Sequence, residues 1–132
     1  MAYNEGLFNT ISYPAGSDMS GKLFYGVSLV ADAATPPGVH VALGGAGKAI
    51  TGVLQNNPLP GQAACIQTNG TTKIAVTAST AVAAGALLDL DVGGTFIPHA
   101  AGTAVAQALE PLASTAAIGI ISARLLPNNA AM

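Results

Sequence analysis

Gly47-Lys48-Ala49-Ile50-Thr51-Gly52-Val53-Leu54-Gln55 and Gly102-Thr103-Ala104-Val105-Ala106-Gln107-Ala108-Leu109-Glu110 align without a gap, and each runs into a proline-containing loop and a further apolar stretch. In the first copy Gly52 weakens any helix, while β-branched Ile50, Thr51 and Val53 suit a pleated, half-buried strand. The second copy is richer in alanine, which leads the helix scale, and is read as a strand by correspondence with the first. Two copies fall short of the three or more that a solenoid needs. They point instead to two similar β units within one domain.

The residues on either side carry the punctuation of a β protein. Pro36-Pro37-Gly38, Gly44-Gly45, Pro58 to Gly61, Asn69-Gly70 and Gly93-Gly94 mark turns. Between them, strands are expected near 23–30, 39–43, 48–55, 62–68, 71–77, 87–92, 95–98, 103–109 and 117–125. The fold class is therefore mainly β, a small β-sandwich or tulip-like β-barrel with little helix; Ser79 to Gly85 also reads as one capped helical turn. Residues 1–20 show no sustained period and are expected as an extended N-terminal arm, with residues 21–132 forming a single β domain. Tyr3, Leu7, Phe8, Ile11 and Tyr13 are isolated large apolar groups on that arm. They suit anchoring on a neighbouring surface, or a terminus folded back on its own domain.

Two hairpins predict specific neighbours. Asn69-Gly70 is the preferred two-residue type I′ turn; closed there, it pairs Cys65 with Ile74 and Ala63 with Val76. Alternation then puts Cys65 on the apolar face as a small buried hydrophobe rather than a nucleophile. Closing the second hairpin at Gly93-Gly94 pairs Leu90 with Ile97 and Asp91 with Phe96. Leu88, Leu90, Val92 and Ile97 then face inward, and Asp89 and Asp91 lie on a solvated outer face. Two acids on a strand fall well short of the roughly six to eight oxygens that calcium takes.

Composition narrows the function. Charged residues are 8% of the chain, whereas 27 residues are alanine and 16 glycine. A solitary soluble domain usually shows roughly 25–35% charged surface, so much of this surface is expected to be covered by a partner. Lys22, Lys48, Lys73 and Arg124 are scattered, and the net charge is −2, which leaves no basic footprint for nucleic acid. No apolar run nears the roughly 18 residues of a membrane span, and no leader of basic then apolar residues opens the chain; neither secretion nor membrane insertion is expected. A lone cysteine excludes an internal disulfide.

The catalytic inventory is sparse. His40 and His99 are the side chains whose unperturbed charge change falls near neutrality, and both are expected at outward or rim positions. Gly44-Gly45-Ala46-Gly47-Lys48 lacks the spacing and the hydroxyl of a phosphate loop. No catalytic residue, cofactor or metal ligand is assigned.

Taken in order, Gly47 to Leu54, the run through Gly70 to Lys73-Ile74-Ala75-Val76, Val82 to Leu88, Asp91-Val92-Gly93-Gly94, Val105 to Glu110 and Ile118-Gly119-Ile120-Ile121 resemble the small capsid decoration, or cement, proteins of tailed bacteriophages. The resemblance covers about residues 45–126, and the longer N-terminal region departs from it. It implies a non-enzymatic structural virion protein, made in the host cytoplasm. Such a protein binds the outer surface of the phage head and stabilises it by bridging capsid subunits. The implied partner is the major capsid protein; closed symmetry is the norm for homo-oligomers, so copies of the chain itself are expected as partners too, as a trimer first and a dimer second. The alternative is a glycan- or receptor-binding head or tail fibre module. The absence of tryptophan and the presence of only three tyrosines count against that alternative.

Overall fold

A computed structural model describes residues 10–31, 38–77, 81–100, 102–113 and 118–126. In chain order the strands are β1 (Thr10–Pro14), β2 (Gly26–Ala31), β3 (Val39–Leu43), β4 (Gly52–Leu54), β5 (Ala63–Gln67), β6 (Thr71–Thr77), β7 (Leu87–Leu90), β8 (Phe96–Pro98), β9 (Ala106–Ala108) and β10 (Ile118–Leu125). No helix occurs among the described residues. Every expected strand is present, and β1 is an addition.

The strands form two units. The first is a five-stranded sheet ordered β1-β5-β4-β2-β3, and a parallel bridge from Ala15 to Val41 brings the chain after β1 back beside β3. The second is a closed barrel ordered β10-β6-β8-β7-β9, in which Val76 pairs in parallel with Phe96. Started from β6, its order is β6-β10-β9-β7-β8, the first unit strand for strand. The registers agree as well. Thr10 opposite Gln67 becomes Thr71 opposite Arg124, Val27 opposite Leu43 becomes Leu88 opposite Pro98, and Gly26 opposite Val53 becomes Leu87 opposite Gln107. The Ala15–Val41 bridge becomes the Val76–Phe96 pair. The two aligned copies are thus the fourth strands of two units with the same strand order, the second a closed barrel and the first a sheet drawn into a barrel by the single Ala15–Val41 bridge, with β9 displaced by one residue from the alignment.

Local devices repeat too. Phe24 and Gly85 occupy equivalent positions with φ of 72° and 88°, and their N–H groups donate to the equivalent carbonyls of Leu54 and Ala108. Phe24 is the non-glycine in the left-handed region among the described residues, a conformation that costs L-residues roughly 1–2 kcal/mol. Asn56 Oδ1 accepts the Cys65 N–H at 3.0 Å, and Glu110 Oε2 accepts the Ser122 N–H at 2.9 Å in the same place of the second barrel.

Met19, Val27, Val41, Leu54, Ala64 and Ile66 fill the first barrel. The second holds Ile74, Val76, Leu88, Phe96, Ile121 and Leu125, with Ala106, Ala108 and Ala123 fully buried among them. The interior of a small barrel is filled by side chains, often large alternating with small, which gives the abundant alanine a structural use. Ile50 and Val53 of the first unit join the second unit's core.

Glycine sets the closeness of the units. A Cβ on Gly26 would lie 2.7 Å from Leu90 Cδ2, and one on Gly44 would run into Leu90 Cδ1. Backbone bonds cross the seam from Gly26 N to Gly94 O (2.8 Å), Gly47 N to Leu90 O (3.0 Å), Thr103 N to Gly47 O (3.0 Å) and Ala75 N to Phe24 O (3.0 Å).

Four local expectations are corrected. Asn69-Gly70 does not close a hairpin, because β5 is paired on its two edges by β1 and β4 while β6 belongs to the other barrel. A type I′ turn needs positive φ at both central residues, and only Gly70 has it, at 81°. Cys65 therefore does not share a face with Ile74 and Val76; it is half-buried between inward Ala64 and Ile66, with Ser12 Oγ 3.8 Å from its sulfur. The second hairpin exists but carries Asp91 to Thr95 in its loop, so Leu90 meets Phe96 and Asp89 meets Ile97. A one-residue slip exchanges faces: Phe96 is fully buried and Val92 is exposed. Finally, the capped helical turn falls partly on Ser79 and Thr80, outside the described residues, and Ala83 to Ala86 form a turn closed by Ala86 N to Ala83 O at 3.1 Å.

The expected arm also divides. Residues 1–9, with Tyr3, Leu7 and Phe8, lie outside the described residues. From Thr10 the chain is part of the folded body: β1 pairs along β5, Ala15 bridges to Val41, and Met19 is fully buried.

Candidate functional site

Two surfaces of the second barrel collect the residues that could act on a ligand or partner. One is polar. Asp89 stands on β7 between inward Leu88 and Leu90, and its side chain points away from the barrel interior. It is nevertheless buried, contrary to the solvated face expected for it. His99 donates Nδ1–H to Asp89 Oδ2 at 3.0 Å, and the Ala100 N–H donates to the same oxygen at 3.3 Å. His99 N in turn donates to Leu87 O at 2.9 Å, so a partly exposed histidine ties the segment after β8 down onto β7. Gly47 and Gly102, the first residues of the two aligned copies, meet beside this pair and line an open groove with Lys48, Asp91 and Ile97.

Chemically the pair is a carboxylate that orients an imidazole. No hydroxyl or thiol of a described residue is bonded to His99, and among the described residues no three His, Cys, Asp or Glu side chains gather as a metal site. Asp91 does not join Asp89: its carboxylate accepts the Val92 N–H at 2.8 Å and shapes the β7–β8 loop. His40 faces Val30 across β2–β3, where its ring blocks any side chain at Gly16.

The other surface is apolar. Leu87 sits opposite Gln107, which sits opposite Arg124, giving one outward row across β7, β9 and β10. Leu109 N donates to Ser122 O, placing Leu109 beside β10, and Ile120 and Ile118 follow Ser122 on the same side of the strand. Leu87, Leu109, Ile118 and Ile120 are each between 45% and 48% exposed. No turn, motif or alternation in the sequence marks this face. Its signal was the run Ile118-Gly119-Ile120-Ile121, which puts large apolar groups on both faces of one strand.

The two described arm residues are not brought to this surface. Ile11 and Tyr13 point to the inner side of β1, opposite Ile66 and Ala64; Ile11 packs on the first barrel's core, and Tyr13 keeps 38% of its surface exposed.

No protein-family model matches the chain, and no curated protein matches it in sequence. Among solved structures it is similar to the crystal structure of the N base of head fibre gp8.5 in bacteriophage phi29. The TM-score is 0.68 at 11% identity, covering 89% of this chain and 93% of that one. The likeness is one of fold.

Proposed function

We propose that the chain is a non-enzymatic structural protein of a phage head, seated on the outer surface of the capsid as a decoration module that bridges capsid subunits. The observation that carries the reading is the two-barrel fold, shared over 89% of the chain with the base of a phage head fibre. Low charge and a broad apolar outer face are what a module covered by partners needs. Tyr3, Leu7 and Phe8, which precede β1, are the proposed shell anchors. The test is co-sedimentation of the purified chain with heads that lack it, comparing wild type with a Tyr3→Ala/Leu7→Ala/Phe8→Ala variant. Saturable binding at a simple ratio to the major capsid protein supports the reading. Failure of the wild type to sediment with heads sinks it, and wild-type affinity in the variant sinks the anchor assignment.

A second reading, the base of a head fibre, is favoured by the name of the structural neighbour. Cryo-electron microscopy of decorated heads separates the two, because a cement protein coats the lattice while a fibre base lies at sparse positions beneath a projection.

A further inference from the structure

The duplication makes the covered face of one barrel a guide to the open face of the other. On the first barrel, the outer face around Gly26, Val53 and Gln55 is buried against the second: Leu90 packs on Gly26, Val53 enters the second core, and Gln55 Nε2 donates to Thr72 Oγ1 at 2.9 Å. The ladders make Leu87 and Gln107 the counterparts of Gly26 and Val53. Leu109 is the counterpart of Gln55, since both donate N–H to matching carbonyls, Ser122 and Cys65. On the second barrel no described residue buries this same face, which carries the half-exposed apolar set Leu87, Leu109, Ile118 and Ile120.

The gripping side of the interface has a counterpart in the first barrel too, with Ile11 and Leu29 resting partly on that barrel's own core. Thr72, Ala75, Leu90 and Gly94 of the second barrel contact the first. Their equivalents in the first barrel are Ile11, Pro14, Leu29 and Val39, none of which is fully buried. Val30 and Tyr13 beside them are 40% and 38% exposed. One chain therefore presents both halves of an interface that it already makes once internally.

We propose that the chain associates head to tail with a second copy of itself, the outer face of one copy's second barrel taking the Ile11–Pro14–Leu29–Val39 end of the next copy's first barrel. Leu87 stands where the internal seam has Gly26, so the incoming barrel sits farther out than in the seam. The contact then spreads over the exposed leucines and isoleucines. A contact between two different patches is heterologous, and it closes into a ring or propagates as a filament according to its rotation. The proposal is independent of capsid binding, because it is read from the purified chain alone.

The experiment is sedimentation velocity on the full chain from micromolar to millimolar concentration, with three variants: Leu109→Lys and Ile120→Lys on the second barrel, and Pro14→Glu on the first. Circular dichroism and thermal melts establish that each is folded, and two separate exposed positions on the apolar face guard against the loss of one variant. Wild type is expected to show concentration-dependent species larger than a monomer. Each variant should weaken association by about tenfold or more, the equivalent of about 1.4 kcal/mol. An equimolar mixture of Leu109→Lys and Pro14→Glu should recover a species limited to two copies, since each supplies the patch that the other lacks. A wild type that stays monomeric throughout overturns the proposal, and if Leu109→Lys then loses binding to heads, the occupant is a capsid subunit. Association unaffected by Pro14→Glu overturns the head-to-tail arrangement in favour of a symmetric contact of the apolar face with itself.

Discussion

The seam between the barrels makes a quantitative prediction about Gly44 and Leu90. A methyl group at position 44 would run into Leu90 Cδ1, while its other neighbours, Ile50 Cγ2 at 3.2 Å and Gly26 O at 3.4 Å, are nearly tolerable. Gly44→Ala should therefore cost about 2 kcal/mol, within the usual overpacking range of about 1–3. Leu90 is 1% exposed, so Leu90→Ala should cost about 3 kcal/mol, inside the range of about 2–5 for buried leucines. Truncating Leu90 also removes the atoms that the new methyl would strike, and that methyl refills part of the cavity. The double variant should then cost about 3 kcal/mol rather than 5, a coupling of about 2 kcal/mol, toward the upper end for residues in contact. Urea unfolding of the four proteins measures it; at this chain length each kcal/mol also moves Tm by about 4 °C. Costs that add within about 0.5 kcal/mol would refute the packing of Leu90 onto Gly44 and with it the account of why glycine lines the seam.

Three further outcomes follow from single contacts. Gly52→Ala should destabilise by about 3 kcal/mol or more, because its Cβ would strike the Gln67 carbonyl and lie 2.6 Å from Ile66 Cγ2, and backbone cannot swing aside as a side chain can; an unchanged urea midpoint would contradict the β4–β5 register. Asp89→Ala should cost about 2 kcal/mol by stripping the Ala100 N–H and His99 of their acceptor. Asp89→Asn retains an oxygen for Ala100 and should cost clearly less, and equal losses would show that the hydrogen bonds are not what Asp89 contributes. At Glu110, hydrogen bonds from Ser122, foremost its backbone N–H, hold the carboxyl below its ordinary value. A depressed native value stabilises the fold above the ordinary glutamate value of about 4.3 and loses that contribution as pH falls through the native one. Glu110→Gln should flatten this part of the acid-unfolding curve, and an unaltered curve would rule out the Ser122 contact as its source.

Much of the secondary structure was legible because strands and turns are written locally. Val39 to Leu43, Ala63 to Gln67 and Thr71 to Thr77 alternate or cluster β-branched residues between glycine and proline punctuation, and each is a strand within a residue or two of expectation. β1 was missed because Thr10-Ile11-Ser12-Tyr13-Pro14 alternates over only five residues and ends on proline, which is admissible where the edge N–H is not needed. The candidate surface was harder to read. Leu87, Leu109, Ile118 and Ile120 are unremarkable apolar residues until β7, β9 and β10 lie side by side. The Asp89–His99 contact also depends on a loop of odd length, which alternation along either strand cannot reveal.

By itself the sequence determined a β protein with little helix and a duplicated strand unit, and that unit proved to belong to two barrels of one topology. Strand pairing was left to the tertiary structure. Asn69-Gly70 carries the strongest short-range hairpin signal in the chain, yet β5 and β6 part there into different barrels. The physical reason is that a turn dipeptide biases a few dihedral angles by a small energy. The ladder along β1 and β4, the closure of β6 on β10 and β8, and the burial of Ile66 in one core and Ile74 in the other act over many residues at once. When a local preference and a cooperative set of non-local contacts disagree, the larger sum decides the pairing.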